Sequence, residues 1–437
     1  MANGRMQLNS LKILIIPGLI PFPPIDGGRL CVYGFIDYLR RYHKFHILLF
    51  ANNDDERNDI EALKLHWPDV SITGVCLYQS PPPMSVKQRL LSTAKRTIRR
   101  SIEFFRSKPL LVKENPSQWY LAYLTTSFYL QDYLLIDALD KIFSKNSFDI
   151  IQTELTLMLN LVSIFPVTAK KVFVQIENRS DVLYDYGIAN KIYKGYLDHV
   201  VRNTEFLEYA YMSQYDAVFA LNESDKMKIQ QKLPGVKVYN SPYGILEKDI
   251  KRYPDGKRVF ENLIFMGGEN HYPNVDALEW FLSDVIRHLS AKQFKKLYVT
   301  GHWTKKTVAK LKQLNNCVEF IGFVDDLSVY LQNSISIVPI RIGGGGIRTK
   351  ILTAMAQGSP IVATSLSSIG IGEGNRDELL VADTDVEFAA AISLLLENKG
   401  IVEKIVQKAY DLIDRQFSQK VVSEKRNIYY LELVNSN

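Results

Sequence analysis

The sequence predicts an α/β protein of two domains, each built on a mostly parallel sheet. Three observations carry that reading. Short apolar runs recur without polar alternation, helical stretches separate them, and the same rhythm restarts beyond a polar stretch at residues 250–258 that holds Pro254 and Gly256. Apolar runs without alternation mark strands buried on both faces, the condition of a parallel sheet covered by helices.

The first run is Leu11–Pro17. A loop rich in Gly and Pro follows it, then a helical pattern from Leu30 to Tyr42 and a second run at His46–Phe50. Strand, loop, helix and strand make a βαβ unit. Runs at Asp149–Gln152, Lys171–Ile176 and Ala217–Leu221 continue the first half. In the second half the expected strands are Asn262–Met266, Lys296–Thr300, Val318–Ile321, Ile335–Ile340 and Pro360–Ala363. The tail from Gly400 reads as a charged helix able to pack on either domain. The expected architecture is two Rossmann-like domains facing each other across a cleft, residues 1–249 and 250–415, with residues 416–437 as a terminal helix.

Composition narrows the function classes. The 437 residues are 46% hydrophobic and 23% charged, which excludes disordered and fibrous proteins. Lys and Arg number 53 against 47 Asp and Glu, so the net charge is 53 − 47 = +6, small for a dedicated nucleic-acid binder. The excess is concentrated: residues 86–108 hold eight Lys/Arg and one Glu, a net +7 that leaves −1 for the remainder. Cys31, Cys76 and Cys317 show no CxxC spacing, so neither a disulfide framework nor a structural zinc is expected. Pro17, Pro21, Pro23 and Pro24 break the apolar start, and neither a membrane span nor a signal peptide is expected. The expected location is the cytoplasm.

The densest chemical signal follows the expected strand Ile335–Ile340. Gly343, Gly344, Gly345 and Gly346 run into a helix that carries Arg348 and Lys350 and stops at Gly358-Ser359-Pro360. Glycines let a ligand approach the backbone, and a helix start offers unpaired N–H groups with about half a positive charge. Two cations in the same turn complete a cradle for a diphosphate. The spacing fits neither a Walker loop nor GxGxxG with a downstream ribose carboxylate.

From Gly322-Phe323-Val324-Asp325-Asp326 through that loop and helix to Gly370, the sequence resembles the C-terminal half of the GT-B glycosyltransferases, in particular their retaining family 4 group. The upstream Phe265-Met266-Gly267 and Pro273-Asn274-Val275-Asp276 resemble the same group's pattern. The resemblance implies that the turn Gly322, Phe323, Val324 reads the base of a nucleotide sugar. It further implies that Gly344, Gly345 and Gly346 with Arg348 and Lys350 hold the diphosphate, in a fold that needs no metal and whose last helix, residues 416–437, returns toward the N-terminal domain. One departure stands out: where many members carry two glutamates eight positions apart, this chain has Gly345 and Thr353, the latter able to offer a hydroxyl.

In the first half, Gly27-Gly28-Arg29 ends the proline-rich loop and opens a helix, a second anion site by the same physics. By the resemblance that loop faces the cleft, with Arg29 on the acceptor side. Glu154 ends a strand that resembles the group's pattern and is expected on the acceptor side with Asn178. Glu177 stands where the group usually has His. It either serves a sugar hydroxyl or acts as a base, or else pairs with Arg179 or Arg202. Glu223 and Asp225 read as helix-capping residues, and so do Asp325 and Asp326. His302, at another strand end, is a candidate cleft contact; the seven histidines show no metal spacing.

Residues 86–108 place Leu90, Leu91, Ala94, Ile98, Ile102 and Phe105 on one helical stripe within basic surroundings. Such a helix either lies on an anionic membrane surface or packs by its stripe with a solvated basic face. The expected function is retaining transfer of a hexose-type sugar from a nucleotide-diphosphate sugar to a glycan, with a lipid-linked acceptor and peripheral placement on the inner face of the cell membrane. No cofactor and no nucleic-acid partner are expected. Two other readings stay open: a nucleotide-sugar 2-epimerase of the same fold and a catalytically degenerate scaffold.

Overall fold

The computed structural model describes residues 10–25, 27–78, 131–253, 258–290, 293–343, 346–371 and 377–436. The first sheet contains β1 (Lys12–Ile16), β2 (Lys44–Ala51), β3 (Ser71–Cys76), β4 (Ile150–Glu154), β5 (Lys170–Gln175), β6 (Ala217–Ala220) and β7 (Lys237–Asn240). All neighbours are parallel, in the order β3-β2-β1-β4-β5-β6-β7. Its helices are α1 (Gly27–Leu39), α2 (Asp54–His66), α3 (Tyr133–Phe143), α4 (Arg179–Ala189), α5 (Lys194–Met212) and α6 (Glu223–Lys232).

The second sheet is also parallel and contains β8 (Asn262–Phe265), β9 (Leu297–Thr300), β10 (Val318–Gly322), β11 (Ser334–Val338), β12 (Ile361–Ala363) and β13 (Leu380–Val381). Its order is β10-β9-β8-β11-β12-β13. With it go α7 (Tyr272–Trp280), α8 (Lys305–Leu314), α9 (Ser328–Leu331), α10 (Thr349–Ala356), α11 (Asp385–Glu397) and α12 (Lys399–Leu412). A last helix, α13 (Gln419–Asn435), ends the chain.

The apolar runs behave as parallel-sheet physics requires. Ile13 and Ile15 pack toward α1, while Leu14 and Ile16 pack toward Leu135 and Leu139 of α3, all fully buried. Helix starts follow local chemistry: the Asn53 side chain accepts the Glu56 N–H ahead of α2, and Thr384 with Glu387 forms a capping box on α11. In each sheet the strand order reverses beside the first strand, between β1 and β4 and between β8 and β11. Loops leaving those strands form the crevice in which α/β proteins bind ligands.

The chain leaves the first domain after β7 and returns to it at residue 418. Ile245 N–H donates to the Phe417 carbonyl at 2.7 Å, and Gln419 N–H donates to the Ile245 carbonyl at 2.8 Å. Helix α13 then packs on α1. Arg426 Nε donates to Ser241 Oγ at 2.9 Å, Tyr430 OH donates to Gln152 Oε1, and Tyr429 stacks on Tyr239 at 4.3 Å.

Strands β3, β7 and β13 were not among the expected runs. They are edge or near-edge strands, short or half-exposed, and carry no continuous apolar signal. The basic segment 86–108 lies outside the described residues. Among the described residues, no helix is long and apolar enough to cross a membrane.

Candidate functional site

Strand β11 is buried at all five positions and delivers the chain to the glycine-rich turn at the point where the strand order reverses. Gly343 and Gly346 have φ of +114° and +92°, left-handed values that side-chain-bearing residues rarely adopt. A β-carbon on Gly346 would stand 2.7 Å from the Ile176 carbonyl oxygen of the first domain. The turn is therefore pressed against the opposite domain, and only glycine fits there. Gly344 and Gly345 lie outside the described residues.

Helix α10 starts immediately after Arg348. Lys350 Nζ donates to Asn274 Oδ1 at 2.7 Å and stands 5.1 Å above the Phe265 ring. Asn274 in turn donates from Nδ2 to the Gly268 carbonyl at 2.8 Å. Burial, with Arg348 alongside, pushes the Lys350 ammonium down to about 7. Burial also lowers the pKa of Arg348, opposed by Glu177, Asp185 and Asp225 of the first domain. His271 falls to about 4 through burial and the same two cations. A dianion beside Arg348 and Lys350 would offset the burial and the mutual repulsion that together depress Lys350.

The other donor-side candidates gather at neighbouring strand ends. Gly267 follows β8 with φ +148° and packs on Asn274. Gly301 N–H donates to the Gly322 carbonyl at 2.7 Å, which ties the ends of β9 and β10 together. His302 is exposed, and its carbonyl accepts the Glu269 N–H at 3.0 Å. Phe323 is 62% exposed, with Val324 half-buried beside it, and Thr353 is half-buried one turn past Lys350. Asp326 accepts the Ser328 N–H at 3.0 Å, but the N-cap position of α9 is taken by Leu327, not by either aspartate as expected from sequence.

The first domain brings some candidates to the gap and turns others away. Gly27 opens α1 directly against Thr349, with Gly28 behind it. Arg29 does not face an acceptor: its Nη1 donates to the Phe22 carbonyl at 3.1 Å and to Asp59 Oδ2 at 3.0 Å, which ties the proline-rich loop to α2. Glu154 likewise departs from the acceptor-side expectation. It is 0% exposed beneath α13, accepts from Gln152 Nε2 at 2.8 Å, and is raised by burial to about 7. Asn178 precedes α4 and accepts from Ser180 Oγ at 2.8 Å. Glu177 pairs with Arg179 at 3.3 Å and still lines the interdomain crevice with Arg348, His271 and Tyr186.

Three carboxylates shape this wall, and of them only Asp225 was singled out in the sequence. Buried Glu208 accepts the N–H groups of Arg179 at 2.8 Å and Ser180 at 3.2 Å, which fixes the start of α4. Asp185 Oδ2 accepts the Gly343 N–H at 3.0 Å. Asp225 Oδ2 accepts the Gly346 N–H at 3.0 Å, while Asn222 caps α6 by accepting the Asp225 N–H at 2.8 Å. The capping role read from sequence for Glu223 and Asp225 belongs to Asn222 instead, and the Asp225 carboxylate reaches the other domain. Among the described residues no group of three or more His, Cys, Asp and Glu is placed to hold a metal ion.

Residues 261–398, nearly all of the second domain, match the family of glycosyl transferases group 1. A 44.6 kDa Klebsiella pneumoniae protein from the cps region is 26% identical over 170 residues, covering 37% of this chain. The chain spans 44% of the length of that curated relative. Among solved structures, sucrose-phosphate synthase from Thermosynechococcus elongatus superposes with a TM-score of 0.66 at 14% identity, covering 98% of this chain and all of that one (100%). Anabaena HepE in complex with UDP-glucose gives a TM-score of 0.60 at 13% identity over 97% of this chain and 100% of its own. TarM of S. aureus, in complex with fondaparinux, α-GlcNAc-glycerol and UDP, gives 0.59 at 12% identity over 98% and 100%. The fold is GT-B, and within it residues 261–398 match the glycosyl transferases group 1 model.

Proposed function

We propose, starting from a GT-B chain whose residues 261–398 match glycosyl transferases group 1, that this protein moves a hexose-type sugar from a nucleotide-diphosphate sugar to a glycan acceptor with retention of anomeric configuration. The observation that carries the reading is Arg348 and Lys350 side by side at the start of α10, with the Gly343 and Gly346 amides turned into the same gap. As the glycosidic bond to the diphosphate breaks, negative charge grows on the leaving oxygens. The α10 N-terminus and two cations answer that charge, joined by the turn's amides once phosphate oxygens reach them, and such electrostatics is usually the largest single term in catalysis.

Glu177, steadied by Arg179 in the crevice, is the carboxylate available to a sugar hydroxyl or to the acceptor's proton. Gly322, Phe323 and Val324 meet the base, and Thr353 offers the ribose a hydroxyl. Protein cations answer the diphosphate charge in this scheme, and no metal enters it. The acceptor is a lipid-linked glycan of surface polysaccharide assembly, reached at the inner face of the cytoplasmic membrane. The basic composition of 86–108 and the cps-region relative support that setting.

A panel of nucleotide sugars screened by thermal shift tests the reading, since a ligand of the native state raises its melting point. The expected result is stabilisation by at least one sugar nucleotide and by its parent diphosphate. Free epimerised donor formed without acceptor would favour the epimerase instead, and indifference to UDP and GDP at millimolar concentration would favour the scaffold.

A further inference from the structure

The glycine-rich turn offers two described amides to the interdomain gap, and carboxylates of the opposite domain hold both. Gly343 N–H donates to Asp185 Oδ2 and Gly346 N–H donates to Asp225 Oδ2, each at 3.0 Å. Asp185 comes from the middle of α4 and Asp225 from the first turn of α6, so two separate elements converge on one turn. Asn222 Nδ2 braces Asp225 from behind at 2.6 Å. Arg348 lies in the field of both carboxylates and of Glu177. A carboxylate oxygen on a backbone N–H, next to a guanidinium, presents the charge and acceptor geometry of a phosphate oxygen.

We infer that Asp185 and Asp225 are positioning residues that compete with the donor's diphosphate: they latch the first domain to the glycine-rich turn, and phosphate oxygens must displace them to reach Gly343 and Gly346. The inference rests on the proposed role of the turn as the diphosphate cradle. It assigns these two residues a part in setting donor affinity without contact to the reacting atoms. Donor entry exchanges two interdomain carboxylate contacts for contacts to the bound phosphates. The displaced carboxylates, carrying the same sign of charge as the diphosphate, then swing away from it, and α4 and α6 are released from the turn. Binding and domain movement become one event.

Asp185→Asn, Asp225→Asn and the double variant keep size and an acceptor oxygen but remove the charge. Calorimetry with UDP, GDP and inorganic pyrophosphate at low salt should show the double variant binding the preferred nucleotide and pyrophosphate about tenfold more tightly than the natural protein. Small-angle scattering of the unliganded double variant should show a larger radius of gyration, because the latch is weakened. A merely structural role predicts the opposite sign, with anion affinity reduced. Weaker or unchanged binding in a variant that melts cooperatively overturns the competition. If natural protein and variants alike bind none of the three anions, the cradle itself is refuted; scattering then judges the latch alone, and an unchanged radius refutes that as well.

Discussion

Gly27 and Thr349 meet head-on: each opens a helix of its own domain, and Gly27 packs against Thr349 Oγ1 so closely that no β-carbon fits between them. The positive ends of α1 and α10 therefore converge on one point, beside Arg348 and Lys350. Gly27→Ala separates two effects that usually travel together. Gly27 is the first residue of α1, where alanine gains little helix propensity, and the atom it meets belongs to a side chain able to turn aside, so the melting point should change little. The added methyl pushes Thr349 away, and kcat/KM should fall by about 10- to 100-fold. A folded variant with undiminished turnover would show that this approach of the two helices has no part in catalysis.

Gly346→Ala tests the other close approach. Its φ of +92° opposes any side chain, and so does the Ile176 carbonyl oxygen, which would stand 2.7 Å from an added β-carbon. The strain is local to the turn and costs about 1–3 kcal/mol. Diphosphate affinity should drop sharply while the uridine affinity stays. Calorimetry with UDP and uridine measures both, and equal losses would place the damage in the fold and not in the cradle.

The strands of both sheets that sit between neighbours were legible because burial on two faces writes a continuous apolar run. Edge strand β3 mixes Ser71, Thr73 and Gly74 among its apolar residues and has no fully buried position, so the same rule passed over it. The glycine-rich turn was legible for a different reason, since four consecutive glycines followed by cations have little use in a plain loop. Asp185 and Asp225 were not, because their partners Gly343 and Gly346 lie 158 and 121 positions further along the chain. Glu154 was misplaced for the same cause. The return of the last helix was expected from the resemblance, but nothing near Glu154 in sequence says that α13 lies over this residue, with Tyr430 bonded to its neighbour Gln152.

Lys350 gives the site a pH signature. Its ammonium sits near 7 in the free protein, and a bound diphosphate raises it, so binding takes up a proton above neutrality. UDP affinity should therefore fall as pH climbs past about 7, by up to about tenfold per unit. Lys350→Arg, charged throughout, should flatten that profile. The stability sign is separate: the native state favours neutral Lys350, so this group alone makes the fold more stable from about 7 up to the ordinary lysine value. Titration calorimetry in buffers of differing ionisation enthalpy reads the proton uptake directly, and its absence would remove Lys350 from the cradle.

Glu154 carries a stability prediction of opposite sense. Burial raises it from 4.5 to about 7, so the native state binds its proton more strongly than the unfolded chain does. That contribution is complete at acid pH and is lost as pH rises through about 7. Glu154→Gln lacks the proton equilibrium. Relative to the variant, the natural protein should lose about 1–3 kcal/mol between pH of about 4.5 and 7, then level off. Denaturant midpoints across that range check it. A variant destabilised equally at every pH would mean that Arg426 keeps Glu154 ionised throughout.

The cradle at the start of α10 is tested most directly by titrating UDP and uridine into the natural protein, Arg348→Ala and Lys350→Ala. Each charge-assisted contact is worth about 1.5–3 kcal/mol, so each substitution should weaken UDP by about 10- to 100-fold and leave uridine untouched. Equal weakening of both ligands, or UDP binding that ignores both substitutions, would contradict the assignment of Arg348 and Lys350 to a pyrophosphate group.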